Sequence, residues 1–333
     1  MQVVRLHSVR DLRLHDEPVP DPLPGESLVR VGAVGICGSD LHWFGEAGIG
    51  DARLSAPLVL GHEMAGAETL GGRRVAIDPA IPCEACEWCL SGHPNLCQAL
   101  RFAGHGAQDG AMREYMTWPS RHLHPLPDSL DDAEGAMLEP LGVALHAVDL
   151  GHLRPGMSVG VFGCGPIGLL IVQVARVVGA ARVYATDLLS HRLDAAEHFG
   201  AEVLPCEGGS LQEAREILSR TGGRGVDVAF EAAGNDAAVA AAVAAARPGG
   251  KVILAGIPDT DTTTFNASTA RRKGLTLKLV RRMKHTYPRA IEMVARGDVD
   301  VRSLITHRFP LAASAEAFEL ARRRVGIKVI IEP

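Results

Sequence analysis

The sequence of 333 residues lacks an apolar run long enough to cross a membrane. Its longest, residues 237–246, is about half of the ~20 residues that a bilayer-spanning helix needs. The first 17 residues are interrupted by charged side chains and lack the apolar core of a secretory signal. We therefore expect a cytoplasmic protein with no membrane partner. The net charge of −5 gives no general attraction to nucleic acid, so we expect no nucleic-acid partner either.

Lysine and asparagine are also scarce. Of the 34 basic residues, 29 are arginine and five are lysine, and the chain has three asparagines. A GC-rich genome and a thermophilic origin both favour such a composition, and neither identifies a reaction. Apolar residues at 47% and charged residues at 22% are typical of a globular enzyme. The length predicts two domains, because domains commonly have roughly 100–200 residues.

Seven cysteines are too few to cross-link a chain of this length, and four of them lie in one window. They have the spacing C-x2-C-x2-C-x7-C and are Cys83, Cys86, Cys89 and Cys97. In a cytoplasmic protein such crowding favours a metal over disulfides. Four thiolates complete the tetrahedral shell of zinc and leave no open position, which predicts a structural zinc site. A redox pair or an iron–sulfur cluster would use the same residue type, but the rest of the chain offers no electron-transfer role.

A second candidate metal site combines three residue types. Cys37 lies in VGICGSDLHWF, and His62 and Glu63 lie in LGHEMAG. A Cys, a His and a carboxylate, with water in the fourth position, are the pattern of a catalytic zinc. Each residue alone is ambiguous, because a single buried Cys or His is more often part of a core. Their joint meaning depends on the second half of the chain.

The pattern of predicted secondary structure changes near the middle of the chain. The first ~140 residues contain short β-rich runs cut by Gly and Pro, which predicts an all-β or barrel-like domain with long loops. After Gly156, strand-like segments alternate with helical segments of 10–15 residues. This alternation indicates βαβ units and a parallel sheet. The regularity ends near Arg282, and the chain finishes in the strand-like VGIKVIIEP.

A glycine-rich turn opens the βαβ region. The segment GCGPIG, residues 163–168, matches G-x-G-x-x-G between a predicted strand and a predicted helix. Such a turn brings a pyrophosphate to the helix N-terminus. Asp187 follows Gly168 by 19 positions, where a carboxylate binds both ribose hydroxyls and repels a 2′-phosphate, so we favour NAD over NADP. The predicted cofactor-binding residues are Gly163, Gly165, Pro166, Ile167, Gly168, Asp187 and Arg192, the last of which covers the adenine side.

Segments along nearly the whole chain carry a resemblance to one family. They read GICGSDLHWF, APLVLGHEMAG, PCEACEWCLSGHPNLC, MLEPLGVALHA, VFGCGPIGLL, ATDLLSHRL and THRFPLAASAEAF. In these segments the chain resembles the zinc-dependent medium-chain dehydrogenases of the sorbitol (polyol) dehydrogenase branch. The resemblance implies an α/β protein with a GroES-like β-rich catalytic domain over residues 1–142 and a Rossmann NAD-binding domain, with a doubly wound parallel sheet, over 143–280. Residues 281–333 would return to the catalytic domain. It also implies NAD, one catalytic and one structural zinc ion per chain, and a homotetramer or homodimer.

The branch assignment depends on the ligands of the catalytic zinc. In the polyol branch the ion is held by the residues that match Cys37, His62 and Glu63. The residue that matches Glu139 binds zinc directly or holds its water, where alcohol dehydrogenases carry a Cys ligand. Taken alone, Glu139 also suits an acidic helix N-terminus stabilised by the macrodipole. Animal sorbitol dehydrogenases lack the structural zinc, so the four cysteines make this chain look closer to bacterial polyol, idonate or threonine dehydrogenases.

The reaction that the resemblance implies is the reversible oxidation of a secondary alcohol, in a polyol or sugar-like substrate, to a ketone. Zinc lowers the pKa of the substrate hydroxyl, and hydride passes to the nicotinamide. Ser39 would take the proton, and His42 would receive it through the cofactor ribose. Asp40 would brace the loop, and Trp43 and Arg282 would contact the substrate. Further pocket candidates are Phe102 and His105.

Three other functions remain as alternatives. A threonine or idonate dehydrogenase of the same superfamily would use the same zinc and NAD residues. A non-enzymatic zinc module that binds nucleic acid is disfavoured, because the cysteine lobe carries Glu84 and Glu87 and no basic stripe. A zinc-free quinone reductase is disfavoured because such enzymes lack both sets of zinc ligands.

Overall fold

The computed structural model describes residues 1–206, 209, 211–259 and 261–333. The chain divides into two compact units, one formed by Met1–Glu139 with Tyr287–Pro333 and the other by Pro140–Thr286. The sequence predicts domain limits at 142/143 and 280/281. These limits divide the chain by function rather than by compactness, and they stay a prediction. Within the described part of the chain, no helix is both long and apolar enough to span a membrane.

The first unit begins with short strands and a few short helices. The strands are β1 (Gln2–Ser8), β2 (Asp11–Asp16), β3 (Glu26–Gly35), β4 (Gly48–Ile49), β5 (Ala52–Arg53), β6 (Glu63–Glu68), β7 (Arg74–Ile77), β8 (Ala80–Ile81), β9 (Arg101–Phe102), β10 (Tyr115–Pro119) and β11 (Leu123–Pro125). The helices are α1 (Gly38–Glu46), α2 (Glu87–Leu90) and α3 (Asp132–Ala136). The predicted β-rich first domain is thereby confirmed.

The second unit alternates strands with helices. The helices are α4 (Leu138–Gly151), which begins just before the unit, α5 (Pro166–Val178), α6 (Ser190–His198), α7 (Gln212–Arg220), α8 (Asp236–Ala245) and α9 (Ala267–Lys273). The strands are β12 (Ser158–Phe162), β13 (Arg182–Asp187), β14 (Glu202–Pro205), β15 (Val226–Glu231), β16 (Ala246–Leu254) and β17 (Thr276–Leu279).

These six strands form a sheet whose neighbouring strands all run parallel, in the order β14-β13-β12-β15-β16-β17. Counted from β12, this is the order 3-2-1-4-5-6 of doubly wound dinucleotide-binding sheets. Every residue of β15 is buried, as expected for a strand covered by helices on both faces. The predicted parallel sheet is confirmed.

The chain then returns to the first unit through α10 (Tyr287–Ala295), β18 (Ile305–Pro310), α11 (Ser314–Arg322) and β19 (Lys328–Glu332). The main sheet of that unit has the order β11-β7-β6-β3-β19-β18, and β10 also pairs with β3. Strand β3 therefore lies between β6 and β19, and it pairs antiparallel with both. The first and last parts of the sequence meet at the end of β3, where the candidate site begins.

Candidate active site

Cys37, His62 and Glu63 come together at the end of β3. Cys37 caps the N-terminus of α1, two residues after β3, and Glu63 begins β6 directly opposite Gly35. One potential ligand atom from each of the three residues lies within 4.8 Å of the others. His62 and Glu63 are buried and Cys37 is half-buried. Antiparallel pairing of β3 with β6 thus joins residues that are 25 and 26 positions apart.

The carboxylate of Asp40 helps to hold this arrangement in place. It is fully buried and accepts hydrogen bonds from the backbone N–H groups of Cys37, at 2.9 Å, and Gly61, at 3.2 Å. The same carboxylate lies 3.4 Å from Nδ1 of His62. Burial alone lowers the pKa of His62, but the adjacent Asp40 and Cys37 outweigh it and raise that pKa well above its usual value. A carboxylate behind the ring orients the imidazole and leaves Nε2 for a ligand.

The predicted proton-relay residues both lie on α1. The hydroxyl oxygen of Ser39 is 3.3 Å from Nε2 of His62, so Ser39 lies directly at the cluster. His42 is one turn further on, and its Nδ1 is 3.5 Å from a carboxylate oxygen of Glu46. The helix therefore carries a hydroxyl next to the metal-ligand candidates and an imidazole beyond it.

Aromatic rings form one side of the cluster. The centroid of the Phe102 ring is 5.0 Å from that of His62, and the His105 ring is edge-on to Trp43 at 5.3 Å. Trp43 is 1% exposed and belongs to the hydrophobic core, whereas His105 is exposed. The predicted substrate contact of Trp43 stays a prediction, and His105 is the more accessible of the two rings.

Two other predicted residues are not part of this group. Glu139 is buried near the start of α4, and within the described residues it contributes no ligand atom to the group of Cys37, His62 and Glu63. Arg282 lies in the second unit, in left-handed backbone conformation with φ of 54°. Their predicted roles toward zinc and substrate stay predictions.

Sequence reasoning missed Lys328, the first residue of β19. Its side chain is 2% exposed, and its ammonium forms an ion pair with the carboxylate of Glu63. The signal available in the sequence was the rarity of lysine, because Lys328 is one of five in an arginine-rich chain. Nothing in the sequence indicated its partner.

The four remaining metal-ligand candidates form a separate group around α2. The sulfur atoms of Cys83, Cys86, Cys89 and Cys97 all lie within 4.8 Å of one another. The Cys86–Cys89 and Cys83–Cys89 sulfur distances are 3.5 and 4.0 Å. Tetrahedral zinc with Zn–S bonds of ~2.3 Å requires sulfur separations of about 3.8 Å, so the group fits zinc. Backbone N–H groups of Ala85 and Cys86 lower the pKa of Cys83 to about 6, whereas burial and the neighbouring Cys86 thiol raise the pKa of Cys89 to about 12. Cys83 is therefore the thiol that ionises first.

In the glycine-rich turn of the second unit, two glycines leave no room for a side chain, and one glycine does leave room. Gly163 has φ of 101°, and a Cβ there would lie 2.7 Å from the backbone nitrogen of Ala233. A Cβ on Gly168 would overlap the carbonyl of Gly163. At Gly165 a Cβ would meet Nη1 of Arg192, at 3.6 Å. Space for a phosphate thus adjoins Gly165, at the N-terminus of α5, whose first two residues are Pro166 and Ile167.

Asp187 ends β13 beside this turn. Its two carboxylate oxygens accept hydrogen bonds from the backbone N–H groups of Cys164, at 2.7 Å, and Leu189, at 2.9 Å. Nη1 of Arg192 is 3.9 Å from the same carboxylate. The acidic residue, the arginine and the open glycine therefore lie together at the carboxyl edge of the sheet, where doubly wound folds bind nucleotides.

Comparison with known proteins agrees with both units. Residues 23–128 match the alcohol dehydrogenase GroES-like domain, and residues 166–296 match the zinc-binding dehydrogenase family. Sorbitol dehydrogenase of Bacillus subtilis is 36% identical over 100% of this chain and 97% of its own length. Human sorbitol dehydrogenase is 38% identical over 98% of this chain and 94% of its own length. The four cysteines suggested a closer likeness to bacterial enzymes, but the sequence identities of these two relatives do not favour the bacterial one. The solved structure of L-idonate 5-dehydrogenase from Escherichia coli has a TM-score of 0.91 at 26% identity and covers 100% of this chain and 98% of its own.

These similarities extend over essentially the whole chain, and they coincide with the ligand groups and the nucleotide turn described above. The expected GroES-like and Rossmann architecture is confirmed, and the cofactors are zinc and NAD. The chain belongs to the zinc-dependent medium-chain dehydrogenases, in the sorbitol dehydrogenase-like branch, and is an oxidoreductase.

Proposed function

We propose that this enzyme oxidises a secondary hydroxyl of a polyol or sugar-like substrate to a ketone, with NAD as oxidant. The observation that carries the proposal is the group of Cys37, His62 and Glu63, braced by Asp40 and adjoining the hydroxyl of Ser39. The names of the sorbitol dehydrogenases that are 36–38% identical support a polyol as the substrate class.

The side chains in this group are assigned separate tasks. Cys37, His62 and Glu63 hold a catalytic zinc ion, and the carboxylate of Glu139 acts from outside this ligand set. When bound, zinc lowers the pKa of the substrate hydroxyl and NAD supplies the oxidising power. Ser39, beside His62, accepts the hydroxyl proton.

Other residues complete the relay and the pocket. His42, one turn along α1 from Ser39, passes the proton onward, because an imidazole can accept a proton at one ring nitrogen and donate from the other. Phe102 and His105 face the substrate from the side of His62, with Trp43 supporting His105. Arg282 suits hydroxyl-rich or carboxylate substrates through its guanidinium.

The second unit has the features of an NAD site. The pyrophosphate binds beside Gly165 at the N-terminus of α5, and Asp187 accepts hydrogen bonds from the ribose hydroxyls. The four-cysteine group binds a second, structural zinc ion. We assign residues 1–142 and 281–333 to catalysis and 143–280 to NAD binding. A homotetramer or homodimer in the cytoplasm remains the expected setting.

A substrate panel tests the proposal. Sorbitol and other polyols, L-idonate and L-threonine are compared at saturating NAD by the rate of NADH formation. We expect the highest kcat/KM with a polyol. A kcat/KM about tenfold higher for L-idonate, equivalent to ~1.4 kcal/mol in transition-state binding, would replace the polyol by a sugar acid. That outcome has its own support in the similarity to L-idonate 5-dehydrogenase.

A further inference from the structure

Three strand ends meet beside the candidate zinc ligands. Gly35 ends β3, Glu63 begins β6 and Lys328 begins β19. Gly35 pairs with Glu63 on one side and with Ile330 on the other. The ammonium of Lys328 reaches across β3, donates to the backbone carbonyl of Ile36 at 3.0 Å, and pairs with Oε2 of Glu63. Lys328 thus contacts Glu63 itself and the residue directly before Cys37.

The pair needs a glycine between its members. A Cβ on Gly35 would overlap Oε2 of Glu63 and would lie 2.8 Å from Cε of Lys328. Any other residue at this position therefore displaces the ion pair, although it removes neither charge. The strand φ of Gly35 is not left-handed, so the close approach of the two side chains is the reason for glycine.

Comparison with other lysines shows what is special about Lys328. Lys251, Lys273 and Lys278 also donate to backbone carbonyls, those of Gly151, Ala246 and Leu150, at 2.8 to 3.3 Å. A compact ammonium suits such carbonyls better than a planar guanidinium, which explains lysine in a chain that otherwise uses arginine. Lys328 adds a buried carboxylate to its carbonyl contact. The contact of Lys328 with the carbonyl has a structural explanation, because other lysines of the chain make the same kind of contact. Its contact with Glu63 needs a separate explanation.

Both members of the pair are almost completely buried, Lys328 at 2% and Glu63 at 1% exposure. Removing one partner of a buried ion pair leaves an uncompensated charge, which is strongly unfavourable. Here that charge would lie on a residue that also offers a carboxylate oxygen to the group formed with Cys37 and His62. The state of the ion pair and the coordination of the metal are therefore linked through one carboxylate.

We propose that Lys328 is a positioning residue for the catalytic metal centre: it holds one oxygen of Glu63, limits Glu63 to a single metal-binding oxygen, and offsets one negative charge of the ligand set. The inference depends on the proposed role of Glu63 as a ligand. Without Lys328 both carboxylate oxygens of Glu63 become available to the metal. The metal then has more donor atoms, so its positive charge acts less strongly on the substrate oxygen.

The test exchanges cobalt for zinc at the catalytic site of the full-length protein, because the visible absorption of Co²⁺ reports its coordination. Lys328→Met removes the ammonium and preserves most of the side-chain volume. We expect a changed cobalt spectrum that indicates a higher coordination number, and slower loss of zinc to a chelator. We also expect kcat to fall about 10- to 100-fold, as for other residues that act through a metal ligand, while KM for NAD stays within about twofold.

Two further variants and a control complete the design. Lys328→Arg restores the charge and should recover the cobalt spectrum in part. Gly35→Ala keeps both charges but separates them, and should change the spectrum as Lys328→Met does, which keeps the test valid if that variant does not fold. Lys251→Met, which removes an ammonium from a carbonyl in the second unit, should leave the spectrum unchanged.

The outcomes separate the two proposals. If Glu63→Gln changes the cobalt spectrum but Lys328→Met and Gly35→Ala do not, Lys328 is a structural lysine and the inference is wrong. If Glu63→Gln itself leaves the spectrum and the zinc content unchanged, Glu63 is not a ligand, and the proposed metal set fails with it.

Discussion

The two groups of candidate metal ligands are built in different ways. The four-cysteine group takes all its candidate ligands from 15 consecutive residues, and only one of the four, Cys83, is exposed. Backbone N–H groups of the same loop lower the pKa of the Cys83 thiol. The group around Cys37 takes its ligands from two strand ends, is largely buried, and is supported by Asp40 and by Lys328 from the far end of the chain. The first needs little beyond a local turn. The second exists only when the sheet of the first unit is complete.

This contrast explains why one group suits a structural ion and the other a reaction. Four thiolates close the coordination shell, whereas a Cys, a His and a carboxylate leave a position open. Polar groups around the open site, among them Ser39 and Asp40, are held by helix α1 and by buried hydrogen bonds. The first three predictions below test one or the other of these groups, and the fourth leaves both intact.

The largest effect is expected for Cys37→Ser. Loss of a ligand removes Lewis-acid stabilisation of several kcal/mol, which at 1.36 kcal/mol per decade lowers kcat about 1,000-fold or more. The four-cysteine group should keep its ion, so metal analysis should fall from two zinc ions per chain to one. NADH binding, followed by fluorescence titration, should stay within about twofold of the original protein. Retention of both zinc ions would contradict the assignment of Cys37.

Glu139→Gln distinguishes a direct ligand from a carboxylate outside the ligand set. Because Glu139 contributes no atom to the group of three, we expect unchanged zinc content and a turnover reduced about 10- to 100-fold. Glu63→Gln serves as the matched comparison and should lose the catalytic zinc. Loss of zinc from both variants would make Glu139 a ligand as well, and near-normal turnover in Glu139→Gln would refute the proposed role of Glu139.

Cys86→Ser breaks the other group. Three thiolates with an open position bind zinc more weakly, and the lobe loses its cross-link. A loss of about 3–4 kcal/mol would lower the Tm of the first unit by roughly 10 °C, at about 2–4 °C per kcal/mol for folded units of 150–250 residues, a range that includes this unit. The turnover of protein that remains folded should change less than about threefold. A melting curve and a zinc content equal to those of the original protein would refute a structural ion here.

The smallest effect is expected in the second unit, which contains neither group of candidate ligands. Asp187→Ala removes the ribose partner and leaves Arg192 beside the turn. We expect the preference for NAD over NADP, measured as a ratio of kcat/KM, to fall about tenfold or more, or ~1.4 kcal/mol. Zinc content should not change. An unaltered ratio would mean that Asp187 does not contact the ribose.

Several features could be predicted from the sequence because their signals are local. The cysteines repeat at short intervals, and GCGPIG lies between a strand and a helix with Asp187 at the expected distance. The strand–helix alternation after Gly156 predicted the parallel sheet, which the structure confirms. In each case the residues that form the feature are near one another in the sequence, so a local sequence pattern is enough to predict it.

Residue type suggested a metal site at Cys37, His62 and Glu63, and the family resemblance implied that the three share one ion, but neither showed how Glu63 is held. That depends on the antiparallel registers that place Gly35 between Glu63 and Ile330, and on a final strand that lies 265 positions beyond Glu63. The ion pair of Lys328 with Glu63 exists because β19 enters the sheet next to β3 and because no side chain on Gly35 blocks it. Sequence alone determined the ligand types and the cofactor turn, since these follow from local chemistry. Only the tertiary structure decided which buried charge faces the metal ligand, because that is set by which strands become neighbours.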